Sequence, residues 1–300
     1  MPIGYETTFA VSSTFALLLV SIYIGRHELA KHLRKAVNRY SLLVLAAILA
    51  FFLIFSLLLV KPVEQLYFDE NIYQGIALNI LKHGNALWCQ FGTGYVNKCY
   101  ANALYHDPVG WSVFIAMAFA IFGIGTATAY NLELLVGALS IVAVFLLASE
   151  LFENKEIAVL GTLAFALSPE LFIWSRTQAD MDPPFMMLAT FAFFFFVVFA
   201  KNRNRKTFAT FLFSMVLAVY IRIEAVLLIP LFALLIFLLS DSGVKETFGK
   251  TIKEIKKVVS DDAKTLALLL LALILLFPQL HYLAIETQQT MQPGSTNFGQ

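Results

Sequence analysis

The sequence predicts an all-α polytopic membrane protein, a bundle of transmembrane helices with two interfacial helices in its first outer loop. Three observations carry this. Of the 300 residues, 59% are apolar and only 14% are charged, against roughly 45–50% and about 25% in a soluble domain. Mean hydropathy is +0.77. The apolar residues, 29 phenylalanines among them, fall into long runs separated by short polar patches, the pattern of helices that cross a bilayer. A formal charge of +1 from 21 basic and 20 acidic residues conceals strong clustering of the basic ones. No nucleic-acid partner is indicated.

Crossing about 30 Å of hydrocarbon takes roughly 20 helical residues. Runs of suitable length are Thr8–Ile24, Ser41–Val60, Ala127–Leu151, Ile157–Trp174, Pro184–Ala200 and Thr265–Leu283. The first has no basic residues before it and no small-residue cleavage signal after it, so it is expected to be a retained span and not a removable signal peptide. Phe208 to Ser240 would be about 50 Å long as one helix, too long for one crossing. Its interruption at Ile221-Arg222-Ile223-Glu224 predicts two short spans that turn there, with both charges at the interface. Asp69 to Lys82 shows helical spacing behind an acidic start that suits a helix N-terminus. Interfacial helices are therefore expected over Glu70–Lys82 and Val109–Ile124.

Charge decides whether Val109–Ile124 spans. Lys and Arg beside membrane segments favour the cytoplasmic side. If this stretch lies along the surface, Arg26–Arg39, Lys155, Lys201–Lys206 and Lys245–Lys264 share one side. That places 16 basic residues inside and five outside, namely Lys61, Lys82, Lys98, Arg176 and Arg222. If it spans, the best split is 14 to seven. The surface reading puts the loop Lys61–Asp107 and the short loop Ser175–Pro183 together on the non-cytoplasmic face.

Those two loops hold the residues that could do chemistry. Asp69 and Glu70 follow a strong span by nine residues and so sit near the headgroups, where a carboxylate can reach a lipid-borne substrate. Helix capping alone would also account for them. Asp180 and Asp182 lie in a loop too short for a soluble domain, where they form either a solvated turn before the helix-starting Pro183-Pro184 or half of a site. Arg222 beside the hydrocarbon layer either pairs with Glu224 or binds phosphate. Arg176, His106 and Asp107 reach the same face. Cys89 and Cys99 have neither metal nor redox spacing. In an oxidising compartment they would form a disulfide, and elsewhere they would be two thiols.

The chain resembles the GT-C membrane glycosyltransferases, in particular the protein O-mannosyltransferase and aminoarabinose-transferase-like branch. Asp69-Glu70 with Tyr73 resembles the acidic signature of the first outer loop, and a helix ending in His83-Gly84 follows. Tyr105-His106-Asp107-Pro108-Val109-Gly110 is similar to the family's His-Pro-Pro-Leu-Gly stretch, with Asp107 where the first proline is usual. Phe122-Gly123, Leu167-Ser168-Pro169, Ser175-Arg176 and Asp182-Pro183-Pro184 continue the order, and Ile221-Arg222 resembles a basic position at the outer end of a later helix. The likeness covers about Ser41 to Pro230 and lies in the order of short motifs. It implies an extra N-terminal helix and basic cytoplasmic loop over 1–40, a GT-C-like core over 41–284 with an outer loop at 61–126, and an outer-face tail over 285–300. Members usually run longer, so the resemblance implies a C-terminal region that is missing or carried by another chain.

The implied activity is transfer of a sugar from a polyprenyl-phosphate carrier to a protein, lipid or glycan acceptor, with inversion, on the extracytoplasmic face of the cell membrane or the endoplasmic reticulum membrane. Asp69 would be the base. Arg222, with Arg176 or His106, would stabilise the leaving phosphate, and Glu70 with Asp182 or Asp180 would orient substrates. Asp182 is favoured as the second acid by the prolines after it. A divalent cation could join two carboxylates, although no ligand spacing requires one. The competing expectations are a transporter or flippase, which would bury polar groups in mid-span, and a non-catalytic subunit of the same fold.

Overall fold

The computed structural model describes residues 3–62, 68–90, 98–99, 104–176, 179–202, 204–238 and 263–290. The expected basic loop Lys245–Lys264 up to residue 262, the last ten residues of the expected tail, and parts of the first outer loop lie outside the described residues. The chain is an all-α polytopic membrane protein. Its elements are α1 (Ile3–Ala36), α2 (Arg39–Leu59), α3 (Phe68–His83), a two-residue ladder of β1 (Cys89–Gln90) with β2 (Lys98–Cys99), α4 (Gly110–Phe122), α5 (Thr126–Phe152), α6 (Lys155–Ala166), α7 (Pro169–Arg176), α8 (Asp182–Asn202), α9 (Arg205–Ile221), a 3-10 turn at Ile223–Leu227, α10 (Leu228–Leu238) and α11 (Ala263–Thr290). Helices α1, α2, α5 and α8 are long and apolar enough to cross a membrane, and α6 with α7 form a fifth candidate bent by 57°.

Three asparagines start helices at one end of the bundle. Asn38 accepts from Ser41 N at 2.7 Å while the Ser41 hydroxyl takes Asn38 N–H at 2.8 Å. Asn154 caps α6 through the amides of Glu156 and Ile157, and Asn204 caps α9 through Lys206 N. Each satisfies amides that have no partner inside the helix. The same end carries Arg34, Lys35, Arg39, Lys155, Lys201, Arg205 and Lys206.

Two expectations are corrected. Helix α1 does not stop near Ile24 but runs through the basic segment to Ala36. Its last turns have partners: His32 Nδ1 meets Glu150 Oε1 at 2.7 Å and Lys35 Nζ meets the same oxygen at 3.4 Å. Asn204 donates to Glu28 at 3.0 Å. With its polar groups met by α5 and the start of α9, the helix has no reason to end. The run Ile157–Trp174 is not one straight span, because Ser168-Pro169 breaks it. Proline supplies no N–H and restricts the residue before it, so α7 starts afresh at a new angle.

Packing separates inner from outer helices. Most of α9 is buried, against α8, α1 and α11. Helix α2 buries only Ser41, Leu45, Ile48, Phe52 and Ser56, a stripe at intervals of three and four. Its Leu42, Leu43, Phe51, Ile54, Leu57, Leu58 and Leu59 are exposed. A soluble protein seldom presents so wide an apolar face, whereas lipid covers it without cost. Within the bundle, Tyr220 OH donates to Leu275 O at 2.5 Å and pairs with Ser13 Oγ at 2.7 Å, which ties α9, α11 and α1 together.

Candidate active site

At the end of the bundle opposite the basic cluster, α3 brings Asp69 and Glu70 into its first turn. Successive helical residues point about 100° apart, so the two carboxylates meet different surroundings. Asp69 is part-exposed and Glu70 is wholly buried, where it receives the Tyr130 hydroxyl of α5 at 3.4 and 3.5 Å. The pair is therefore one rim acid and one interior acid.

The segment before α4 closes over α3. Tyr105 OH donates to Asp69 Oδ1, and Tyr73 OH donates to Asp107 Oδ2 at 2.5 Å. His106 is exposed and stands 3.5 Å from Asp107. Gly110 then lets α4 press against the end of α9, since a Cβ there would overlap the Tyr220 carbonyl. Helix α4 has 13 residues and a rise of about 20 Å, short of the hydrocarbon thickness. The Cys89–Cys99 pair stands in register in the two-residue ladder, and Cys89 is disulfide-bonded.

The loop between α7 and α8 supplies the next acids. Trp111 Nε1 donates to Ala179 O at 3.2 Å and so fixes the loop onto α4. Asp180 turns back to accept Met181 N–H at 2.7 Å, within the field of Asp69, Asp107 and Arg222. Asp182, the first residue of α8, pairs with Arg222 Nη1. Arg222 stands in extended conformation between α9 and the 3-10 turn, and its Nε lies 3.5 Å from Glu224. Asp180, not Asp182, thus joins Asp69 and Asp107, while Asp182 engages the cation.

Burial, followed for Asp180 by the repulsion of Asp69 and Asp107, pushes the carboxyls of Asp107 and Asp180 above the usual carboxylate range. The hydrogen bond from Tyr73 and the charge of His106 oppose this at Asp107. Met181 N–H and the Arg222 charge oppose it at Asp180. The hydroxyls of Tyr73 and Tyr105 are pushed far up, first by burial and then by the carboxylates beside them, so both act as donors.

Arg176 stands apart from this cluster. Its Nη1 donates to Asn131 at 3.2 Å, and it lines a cavity of about 320 Å³ with Pro62, Thr126, Ala127, Tyr130 and Asn131. One turn further along α5, Glu133 is buried with both oxygens lacking partners among the described residues. Among the described residues no three His, Cys, Asp or Glu side chains form a group that could hold a metal ion. The sequence singles out Asp69, Glu70, Asp180, Asp182, Arg176, His106 and Arg222, with Asp182 favoured over Asp180 as the second acid. It leaves Asp107 as a departure from a motif and gives the hydroxyls of Tyr105 and Tyr73 no role. Asp69 and Tyr105 are 36 positions apart, and no spacing rule links them; the one local signal was that Tyr105 adjoins His106-Asp107.

The family model for dolichyl-phosphate-mannose-protein mannosyltransferases matches residues 106–282. The matched stretch takes in His106, Asp107, Arg176, Asp180, Asp182 and Arg222, and begins after Asp69 and Glu70. No curated protein and no solved structure matches the chain.

Proposed function

The chain belongs to the dolichyl-phosphate-mannose-protein mannosyltransferase family, whose model matches more than half of it, and from that premise we propose that this membrane glycosyltransferase takes its sugar from a polyprenyl-phosphate carrier on the extracytoplasmic face. The observation that carries the proposal is the convergence of Asp69, Asp107, Asp180 and Arg222 at one end of the bundle. Carboxylates and a guanidinium at the headgroup level are what an inverting transfer from a lipid phosphate needs.

In the proposed reaction the acceptor hydroxyl attacks the anomeric carbon from the face opposite the phosphate. The new C–O bond forms as the bond to the phosphate oxygen breaks, and the bonding pair leaves with the lipid phosphate. Asp69 takes the hydroxyl proton, because it is part-exposed while Glu70 is buried. Arg222 stabilises the charge that grows on the phosphate, exchanging contacts with Asp182 and Glu224 for the phosphate oxygens. Glu70 anchors α3 through Tyr130 and does not meet the acceptor. Asp180 and Asp107, whose carboxyls burial raises above the usual carboxylate range, take hydrogen bonds from the sugar hydroxyls. Arg176, His106 and Asp182 bind or orient substrates from the rim.

The side of the membrane is supported by two features. Basic residues gather at the end opposite the acids, as cytoplasmic ends do, and a disulfide at Cys89 suits an oxidising compartment. The experiment is transfer by the purified chain from dolichyl-phosphate mannose to a peptide bearing Ser and Thr. Asp69→Asn should lower turnover by about 10²- to 10⁴-fold, the usual contribution of a general base. Near-normal turnover by that variant would remove Asp69 from the reaction.

A further inference from the structure

We propose that Tyr105 is the positioning residue of this site: its hydroxyl holds one oxygen of Asp69 and leaves the other oxygen aimed at the acceptor. The role rests on Asp69 as the base, and it explains what fixes a carboxylate that stands part-exposed in the first turn of a helix. Tyr105 OH donates to Asp69 Oδ1, and the Tyr105 side chain is buried. Three separate parts of the chain hold the ring and its backbone. Tyr73 of α3 meets it edge-on with ring centroids 6.0 Å apart. Trp88, next to the disulfide-bonded Cys89, packs at 5.6 Å. From the far end of the sequence, Tyr282 of α11 donates its hydroxyl to the Tyr105 carbonyl at 3.1 Å.

The two tyrosines divide the acids between them. Tyr105 serves Asp69 and Tyr73 serves Asp107, so replacing one hydroxyl should affect one carboxylate. The hydrogen bond removes the rotational freedom that would otherwise let either oxygen of Asp69 face the acceptor. Burial and the surrounding acids keep the Tyr105 hydroxyl protonated, so it stays a donor throughout the working pH range.

The test is kinetic and uses the purified full chain. In the transfer assay, Tyr105→Phe should lower kcat by roughly tenfold with the donor KM unchanged, and Tyr282→Phe, which frees the Tyr105 carbonyl, should lower it by less. Neither variant should add to the loss in an Asp69→Asn background, because the role acts through Asp69. An unchanged kcat in folded Tyr105→Phe, or a full further loss when it is combined with Asp69→Asn, overturns the proposal, as does an unchanged kcat in Tyr282→Phe should the first variant fail to fold. Normal transfer by Asp69→Asn alone would instead overturn the base role.

Discussion

Asp180 shows how the residue scale works here. Its carboxyl is raised by burial and by Asp69 and Asp107 more than Met181 N–H and Arg222 lower it. A carboxyl with a raised folded value weakens the fold as pH climbs through the interval between its unfolded and folded values, and costs nothing below the unfolded value. Asp180→Asn removes that penalty. The variant should match the wild type in thermal unfolding near pH 3 and exceed it near pH 8, and an equal difference at both pH values would count against the assignment. Asp182 sits two positions away and is held by Arg222. The prolines behind it point to a helix start, which Asp182 is; they say nothing about which acid faces the site. The prolines favour Asp182 as the second acid, whereas in the structure Asp180 shares the field of Asp69 and Asp107 and Asp182 pairs with Arg222, an arrangement set by how the loop turns under Trp111.

At the scale of elements, helix identity follows from local pattern and helix limits follow from partners. Glu70–Lys82 was expected as a helix and α3 runs Phe68–His83, since its spacing and acidic start act within a few residues. The overrun of α1 and the bend between α6 and α7 differ in kind. The first depends on Glu150, 118 positions from His32. The second was written at Ser168-Pro169 but was outweighed by the length of the apolar run. The contact of α4 with α9 is equally tertiary and equally testable. Gly110→Ala would force a Cβ against the Tyr220 carbonyl and should cost on the order of 1–3 kcal/mol, the usual range for overpacking. Unfolding in detergent measures it, and no loss of stability would mean that the two helices can part.

The whole molecule is a bundle with one basic end and one acidic, hydroxyl-rich end. Sidedness can be tested on a background in which both cysteines are replaced by serine. Single cysteines at exposed His106 and at exposed Lys206 should react with an impermeant thiol reagent from opposite sides of sealed vesicles. Labelling from the same side would contradict a site and a basic cluster divided by the bilayer.

Composition and period determined the fold class by themselves: no soluble core could bury runs this apolar, and water-free hydrocarbon requires helices that satisfy their own backbones. The order of short motifs also placed the chain in its family, because such motifs act over a few adjacent residues. Only the tertiary structure decided that Asp69 stands at the rim while Glu70 is interior, that Asp180 joins the acids while Asp182 holds Arg222, and that Tyr105 binds Asp69. Those are contacts between side chains tens of positions apart, set by helix rotation and close approach, and a linear pattern carries neither.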